Sequence, residues 1–403
     1  MAYTETTRIG YGKRLGNSLG GIGTGILLFL AGTVLLWWNE GRAVKTSKML
    51  KEAQGQVVEM PDISRVDPSF EGKLVHATGM ANTTETLHDA QFNVDVTAIA
   101  LKRDVEYYQW VEHSESVTKD KVGGAQETTT TYTYDRQWVS GPVSSTDFHD
   151  PDYRGLNSVK QQVEDQTQYA QNVSFGAYQL SASQVSSIGG EVPLPVNGGS
   201  NVVYIGANAA QPEVGDVRIT FTQVPPAQVT VIAAVSGNTF VPFKAKSGKT
   251  FSALRMGDVP QEQIFESAHS SNKFALWAFR ILGLLLVFFG LKSLVSILET
   301  LFKVLPFLAN IVGLGLNIAT FVLALVITLI VIALGWLWYR PLLGILLLAA
   351  AGAIIWYFSK KGKAAPAAPE APAVEPVKVE PVAPAEPAKP EEPVAPKPEE
   401  PAE

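Results

Sequence analysis

The sequence has 403 residues, a formal net charge of −6 and no cysteine, and 46% of its residues are hydrophobic while only 17% are charged. Because soluble domains carry about a quarter charged residues, this deficit predicts membrane segments. The missing cysteines exclude disulfides, thiolate catalysis and cysteine-ligated zinc. The sequence also has no long basic block, which argues against a nucleic-acid partner.

Four apolar runs are long enough to cross a bilayer, whose core needs about 20 helical residues. They are residues 19–38, 273–291, 306–339 and 341–358. The first run is too long for the apolar part of a signal peptide, and it ends in Trp-Trp-Asn-Glu instead of small residues, so we expect a retained anchor. The sequence therefore predicts an α-helical four-span membrane bundle.

Residues 39–272, between the first two spans, read mostly as strand. Residues 215–222 alternate apolar and polar side chains, and the runs 105–117 and 128–139 flank a Gly-Gly turn, which predicts a hairpin. Shorter helices are predicted at 157–171, at 181–188 and from Asp258 into the second span. The prediction is a β-dominated α+β extramembrane domain, periplasmic or luminal.

An acidic cluster follows Pro142 in this domain. It could hold a cation or supply a general acid–base pair, but aspartates also favour turns because they bond nearby backbone amides, and the turn is favoured. The cluster consists of Asp147, His149, Asp150 and Asp152.

The five histidines lack metal-ligand spacing, so no metal and no cofactor are expected. No catalytic motif occurs, and we expect no enzymatic activity.

A basic segment follows the first span. Arg42, Lys45 and Lys48 recur every three residues and form one stripe on a helix. They could contact lipid phosphates from an interfacial helix, or they could be a solvated helix face leading into the domain.

The segment between the second and third spans, residues 292–305, has one polar and one apolar helical face. Because it joins two spans directly, we expect an amphipathic helix in the membrane plane, with Lys292 and Lys303 contacting lipid. The alternative is a loop helix that packs on protein.

The third span carries a polar face made of Asn310, Gly313, Asn317 and Thr320. Small and amide side chains on a membrane helix usually serve helix packing, which is the favoured interpretation. The alternative is a solute pathway.

Lysine and arginine in the flanks weakly favour cytoplasmic termini, with eight such residues on the terminal side of the spans and six on the other. Residues 1–18 would then be a cytoplasmic segment. Residues 359–403 hold twelve of the chain's 25 prolines and predict a disordered Pro/Ala/Glu-rich tail. A proline-rich tail suggests a bacterial inner membrane, and the alternative is the endoplasmic reticulum or nuclear envelope.

Several short pieces resemble the transmembrane protein 43 (LUMA) family and indicate a prokaryotic member of it. The first piece, Trp-Asn-Glu-Gly-Arg-Ala at residues 38–43, directly follows the first span. The others fit in order, at residues 134–138, 176–181, 214–219, 272–280 and 339–342. One departure is Ser158, where the family pattern leads us to expect proline in a Gly-x-Asn-Pro-like turn.

The resemblance implies four spans, a large luminal or periplasmic domain and a role in assembling membrane protein complexes. In eukaryotic members it implies the inner nuclear envelope and endoplasmic reticulum. No catalytic residues come with it. The leading hypothesis is a non-enzymatic scaffold whose partners are the lipid bilayer, other membrane proteins and a second copy of the chain. A channel or transporter is the alternative, and a lipid-modifying enzyme is the least favoured.

Overall fold

The computed structural model describes residues 2–196, 198–302 and 306–340, and the side chains of residues 302 and 306–312 lie outside the description. Lys303, the predicted span 341–358 and the tail 359–403 are outside the described residues. Within the described part, three helices are long and apolar enough to cross a membrane: Tyr11–Gln56, Gln261–Leu301 and Gly313–Tyr339. The structure therefore supports an integral membrane protein with three candidate spans, and the fourth is not tested.

The helices and strands follow this order along the described chain. The first half contains β1 (Tyr3–Ile9), α1 (Tyr11–Gln56), β2 (Val58–Glu59), β3 (Leu74–Asn82), β4 (Thr86–Asp89), β5 (Val94–Thr97), β6 (Ala100–Asp120), β7 (Gln126–Val139), β8 (Gln166–Tyr169), β9 (Ser174–Phe175) and β10 (Tyr178–Gln179). The second half contains α2 (Ala182–Val185), β11 (Val192–Pro193), β12 (Val202–Ile205), β13 (Val217–Val224), β14 (Ala227–Ser236), β15 (Thr239–Val241), β16 (Phe243–Lys244), β17 (Thr250–Phe251), β18 (Ala253–Met256), α3 (Gln261–Phe302) and α4 (Pro306–Tyr339).

Two seven-stranded sheets form most of the β-rich domain, and β4–β5 and β16–β17 form two smaller two-stranded sheets. One has the order β1-β7-β6-β13-β11, with β12 beside β13 and β8 beside β6, and the other has the order β18-β14-β15-β10-β9-β3-β2, with β14 also beside β3. Alternate side chains from both sheets meet in one buried core, which includes Val105 and Phe221 from the first sheet and Val75, Phe175 and Val231 from the second. The predicted β-dominated domain is confirmed.

Helices α1 and α3 are longer than a bilayer requires. The 46 residues of α1 correspond to about 69 Å of helix, whereas the hydrocarbon core is about 30 Å thick. The surplus enters the domain, where Leu50 and Ala53 of α1 pack with Ile264 and Phe265 of α3 against Ile232 of β14. Both helices therefore run without a break from the apolar bundle into a second buried cluster of the domain.

Glycines let α1 and α3 approach closely. A Cβ on Gly290 would lie 2.6 Å from the backbone nitrogen of Phe29, and a Cβ on Gly25 would lie 2.9 Å from the Gly290 carbonyl oxygen. About two helical turns further along the same face of α1, a Cβ on Gly32 would lie 2.9 Å from Val287. Because such contacts leave no room for a side chain, glycine is required along this seam.

The structure departs from two predicted helices. Over residues 292–302 no separate in-plane helix is observed, because α3 continues through Lys292 to Phe302. The sequence from 292 to 302 contains no glycine or proline to break it. Residues 157–171 do not form a helix either, since their polar side chains bond to β6 and their last part becomes β8. At 181–188, only the short α2 forms, and Gln184 completes a capping box with Ser181.

The predicted hairpin is confirmed as β6 and β7, which pair from Tyr107↔Val139 to Asp120↔Gln126. Its far end lies beside the start of α1, where Arg14 donates to the Gly124 carbonyl over 2.9 Å and pairs with Asp120 at 2.8 Å. Strand β1 adds to the free edge of β7 there, with Thr6 opposite Thr129.

The pairing of β1 with β7 constrains the membrane topology. The far half of the hairpin reads His-Ser-Glu-Ser-Val-Thr-Lys-Asp in β6 and Gln-Glu-Thr-Thr-Thr-Thr-Tyr-Thr in β7, so both of its faces are polar. Polar open strands do not cross hydrocarbon, because their unpaired backbone groups have no water to bond. Residues 1–18 therefore cannot both pair with β7 and lie across the membrane from residues 39–272. The predicted sidedness stays a prediction.

Candidate functional site at the membrane–domain junction

A buried polar layer joins α1, α3 and α4 just below the domain. Asn39 is fully buried and Glu40 is 1% exposed, although both directly follow the apolar run of α1. Burying a carboxylate is costly unless it is paired and hydrogen-bonded. The three helices supply those partners, so we call Asn39, Glu40, Arg42, Asn272, Arg280 and Trp336 the junction layer.

Glu40 is the centre of the layer. Its Oε1 accepts a hydrogen bond from Nε of Arg280 at 2.7 Å, and its Oε2 accepts one from Nε1 of Trp336 at 3.0 Å. Each carboxylate oxygen thus bonds a different helix. A Cβ on Gly335 would lie 3.1 Å from the side chain of Glu40, so the small residue before Trp336 lets α4 come this close.

A second set of hydrogen bonds ties α1 to α3 on the domain side of Glu40. Asn39 donates through Nδ2 to the Leu276 carbonyl at 2.9 Å, and Asn272 donates through Nδ2 to the Ala43 carbonyl at 3.1 Å. Arg42 bonds Oδ1 of both amides, at 3.2 Å to Asn39 and 3.4 Å to Asn272. These side chains bond backbone and amide groups across the helix pair and fix its register at the domain's base.

Aromatic rings surround the junction layer at the same height. Trp37 lies near Trp338 and Tyr339, with ring centroids 6.2 and 5.9 Å away, and Trp38 meets Phe279 edge-on at 5.9 Å. Trp277 and Trp338 are 62% and 72% exposed. Tryptophan and tyrosine concentrate at membrane–water interfaces, so this belt indicates that the layer lies at the interface on the domain side.

The predicted lipid-contact residues have different surroundings. Arg42 is half-buried and belongs to the junction layer, so its hydrogen bonds serve helix packing within the chain. Lys45 and Lys48 are exposed, and Lys292 is half-buried on α3. Contact of these three lysines with lipid stays a prediction, and Lys303 lies outside the described residues.

The predicted polar face of the third span is brought partly into the bundle. Thr320 is 5% exposed, and Asn317 is half-buried with its Oδ1 lacking a hydrogen-bond partner among the described residues. Gly313 has open space around its Cα, and the side chain of Asn310 is outside the description. Burial of Thr320 fits helix packing, and a solute pathway stays a prediction.

The ion pair of Glu40 and Arg280 was not predicted from the sequence. The structure buries Arg280 to 9% exposure against Glu40. One feature of the sequence could have indicated the pair. Arg280 is the only charged residue between Phe274 and Leu291, and Glu40 is the first charged residue after the first span.

The acidic cluster of the domain is built into turns. Oδ1 of Asp150 accepts from the Asp152 backbone at 3.0 Å and begins a short 3₁₀ turn, Pro151–Tyr153. His149 donates its backbone N–H to Glu112 at 2.7 Å, and Tyr134 donates to Glu112 at 2.6 Å. Burial alone would raise the pKa of Glu112, but these bonds hold its pKa below the ordinary value.

The same bonds affect the partner tyrosine. Burial and the bond to Glu112 raise the pKa of Tyr134 to about 12. Within the described part of the chain, no three histidine, aspartate or glutamate side chains come together in a way that could hold a metal ion. The contact between Asp150 and Asp152 fits the turn interpretation, and a general acid–base role of the cluster is not tested.

Two of the pieces that carry the family resemblance, residues 38–43 and 272–280, meet in the junction layer, and Tyr339 of a third piece lies beside Trp37. A family model described as "Transmembrane protein 43" matches residues 107–341. The chain belongs to the transmembrane protein 43 family. It is 35% identical to transmembrane protein 43 of Rattus norvegicus over 366 residues, which cover 85% of this chain and 90% of that relative.

Two further members of the family are similar to this chain over most of its length. Transmembrane protein 43 of Homo sapiens is 34% identical over 364 residues, covering 85% of this chain and 90% of the relative, and the homolog of Drosophila melanogaster is 30% identical over 353 residues, covering 83% and 93%. No solved structure matches the chain. Because these transmembrane protein 43 relatives are animal proteins, they do not support the predicted prokaryotic origin or a bacterial inner membrane.

Proposed function

We propose that this chain is a non-enzymatic membrane scaffold, which presents its β-rich domain at a fixed height and orientation above the bilayer and gathers membrane proteins around its helices. The main support for this proposal is the continuity of α1 and α3. Each helix runs from the apolar bundle into the domain, where Leu50 and Phe265 are buried in one cluster.

Rigid attachment is the reason why this architecture suits a scaffold. Domains joined by single linkers normally move relative to one another. Here two continuous helices enter the domain, and the junction layer cross-links them at its base through Asn39, Arg42 and Asn272. A partner that touches both the bundle and the domain would therefore meet a preformed surface, with little ordering cost on binding.

The outward faces of the bundle supply the membrane contact. Leu27 and Val34 of α1, Phe274 of α3 and Leu314 of α4 are all more than 60% exposed. Side chains of this kind are stable against lipid or against other membrane helices. They support integration into the membrane and provide lateral surfaces for partner helices.

Crosslinking followed by mild detergent extraction of the full chain tests the scaffold role. The unmodified chain should co-purify with a reproducible set of membrane proteins. Inserting Gly-Gly-Ser after Ser47 of α1 and after His269 of α3, between the junction layer and the buried cluster of the domain, should reduce the recovery of these partners several-fold, because the two helices no longer hold the domain rigidly.

A matched insertion after Ala209, which is exposed on the domain surface, should leave recovery unchanged. Isolated monomers from the unmodified chain would contradict the scaffold role, and so would equal recovery with rigid and loosened helices.

A further inference from the structure

A groove between α3 and α4 opens just below the junction layer. It encloses about 390 Å³, and its wall is almost entirely apolar below the two tryptophans at its upper end. The lining residues include Trp277, Arg280, Leu284, Leu325, Leu329 and Trp336. From Leu325 to Trp336 the groove follows twelve residues of α4, a rise of about 16 Å along the helix. That length is about half of a 30 Å hydrocarbon core, which is the depth of one lipid leaflet.

The upper end of the groove carries an unused hydrogen-bond donor. Arg280 is 9% exposed, its Nε is bonded to Glu40, and its Nη2 is buried without a partner among the described residues. A buried guanidinium N–H without an acceptor is costly, and Arg favours phosphate oxygens because of its planar donor geometry. Thr328 also lines the groove with an unbonded hydroxyl, but a threonine in a helix can rotate to its own i−4 carbonyl and so does not indicate a ligand.

The charges at this end are not balanced. The guanidinium carbons of Arg280 and Arg340 lie 5.8 and 5.3 Å from the centroid of the Trp336 ring. Glu40 supplies one negative charge, and its two oxygens are already bonded to Arg280 and Trp336. Two cations and one carboxylate leave one positive charge, which a single phosphodiester would neutralise.

We propose that this groove binds one anionic glycerophospholipid of the domain-side leaflet. Its phosphate accepts from Nη2 of Arg280 beside Arg340, and one acyl chain lies along Leu284, Leu325 and Leu329. A free phosphate would leave the apolar wall exposed, and a zwitterionic lipid would leave the extra charge unbalanced. The site does not depend on the scaffold role, because a lipid can bind whether or not partner proteins assemble.

Native mass spectrometry of the full chain, extracted in mild detergent, tests the site. Phosphatidylglycerol and phosphatidylcholine with identical acyl chains are added in turn, with inorganic phosphate as a third arm. We expect one saturable phosphatidylglycerol per chain and at least tenfold weaker retention of phosphatidylcholine. Equal retention of the two lipids would overturn the proposal, and so would displacement of the lipid by inorganic phosphate.

Two variants address the two halves of the site without touching Glu40. Arg340→Gln should weaken phosphatidylglycerol retention about tenfold, the size expected for one charge-assisted contact, and Leu329→Trp should do so by filling the groove. Their matched controls are Lys48→Gln, an exposed cation on α1, and Val326→Trp, a 46% exposed residue outside the groove lining. Unchanged retention in both test variants would overturn the proposal.

The competing occupant is the apolar segment 341–358 of the same chain. Leu329→Cys is therefore combined with single cysteines at positions 345–352 and oxidised in native membranes. The proposal predicts that no disulfide forms with Leu329→Cys. Efficient disulfide formation at helically spaced positions would place that segment in the groove and overturn lipid binding there.

Discussion

Glu40 of α1 and Arg280 of α3 form a buried ion pair, with 2.7 Å between Oε1 and Nε, at the level where the membrane helices meet the domain. Trp336 of α4 bonds the other carboxylate oxygen. One acidic side chain therefore links three helices, and its loss should weaken the whole junction.

The first prediction concerns this pair. Glu40→Gln and Arg280→Gln should each destabilise the protein by about 3–5 kcal/mol, because each leaves one buried charge without its partner. The double variant should lose clearly less than the sum, because it contains no unpaired charge. The measurement is a double-mutant cycle of thermal unfolding in detergent. Glu127→Gln, in the more exposed pair with Lys121, serves as the control and should cost far less stability, because solvent screens an exposed pair. Additive losses for Glu40 and Arg280 would contradict the coupling.

The second prediction distinguishes two glycines. Gly290→Ala should destabilise the bundle by about 1–3 kcal/mol, because the new Cβ would lie 2.6 Å from the Phe29 backbone, which cannot move aside easily. Gly20→Ala has nothing within 4 Å, and alanine favours a helix, so it should stabilise α1 by about 0.5–1 kcal/mol. Melting temperatures of both variants in one detergent provide the comparison. Equal shifts would show that the seam between α1 and α3 is not closely packed.

These sites show what the sequence can and cannot predict. The bounds of α4 and the β6–β7 hairpin followed from apolar length and turn residues, which are local signals. The seam glycines were harder to predict, because the sequence has the Gly-x-x-x-Gly spacing both at Gly16–Gly20 and at Gly21–Gly25. A Cβ on Gly16 or Gly20 would nevertheless meet nothing within 4 Å. Spacing identifies faces that permit approach but does not identify the face that meets a partner.

The polar segments were the least predictable. Residues 157–171 contain good helix formers, yet Asn157 bonds both the N–H and the carbonyl of Trp110 and so completes the hydrogen bonding of β6. A tertiary need of the sheet decides the local structure there. The Glu40–Arg280 pair was missed for a similar reason, since pairing between helices separated by more than 200 residues leaves no local pattern.

The third prediction concerns acid stability. Asp216 is fully buried, and although burial alone would raise its pKa, bonds from the Glu213 N–H, Lys160 and Tyr204 hold its pKa below the ordinary value of 3.8. The folded state therefore binds this proton less readily than the unfolded chain. The stabilisation is fully present above pH 4 and is lost as the pH falls below 3.8 through the folded pKa.

Denaturant unfolding between pH 7 and pH 3 measures this effect. Asp216→Asn should lower stability at pH 7 and should lose less further stability below pH 4 than the unmodified chain does. Glu115→Gln, an exposed carboxylate on β6, serves as the control and should keep the original pH profile. Parallel pH profiles for Asp216→Asn and the unmodified chain would refute the assignment.

The fourth prediction separates the two topologies of the N-terminal arm. Thr6 and Thr129 face each other with 3.5 Å between their hydroxyl oxygens, and Thr118 and Thr128 do so at 3.0 Å within the hairpin. If α1 crosses the bilayer, the cysteine pair at 6 and 129 should not crosslink in intact membranes, because a polar hairpin cannot cross hydrocarbon. The pair at 118 and 128 should crosslink there and verifies that the hairpin forms. Crosslinking of positions 6 and 129 in membranes would place the arm beside the domain.

The junction layer can lie at the membrane interface only if α1 crosses the bilayer below it. Labelling of single cysteines by a membrane-impermeant thiol reagent in sealed vesicles measures this crossing directly. The chain has no native cysteine, and positions 17, 45 and 210 are all exposed in the structure. We predict that Lys45→Cys and Ala210→Cys react from one face of the membrane and that Asn17→Cys reacts only from the other. Reaction of all three from the same face would contradict the account.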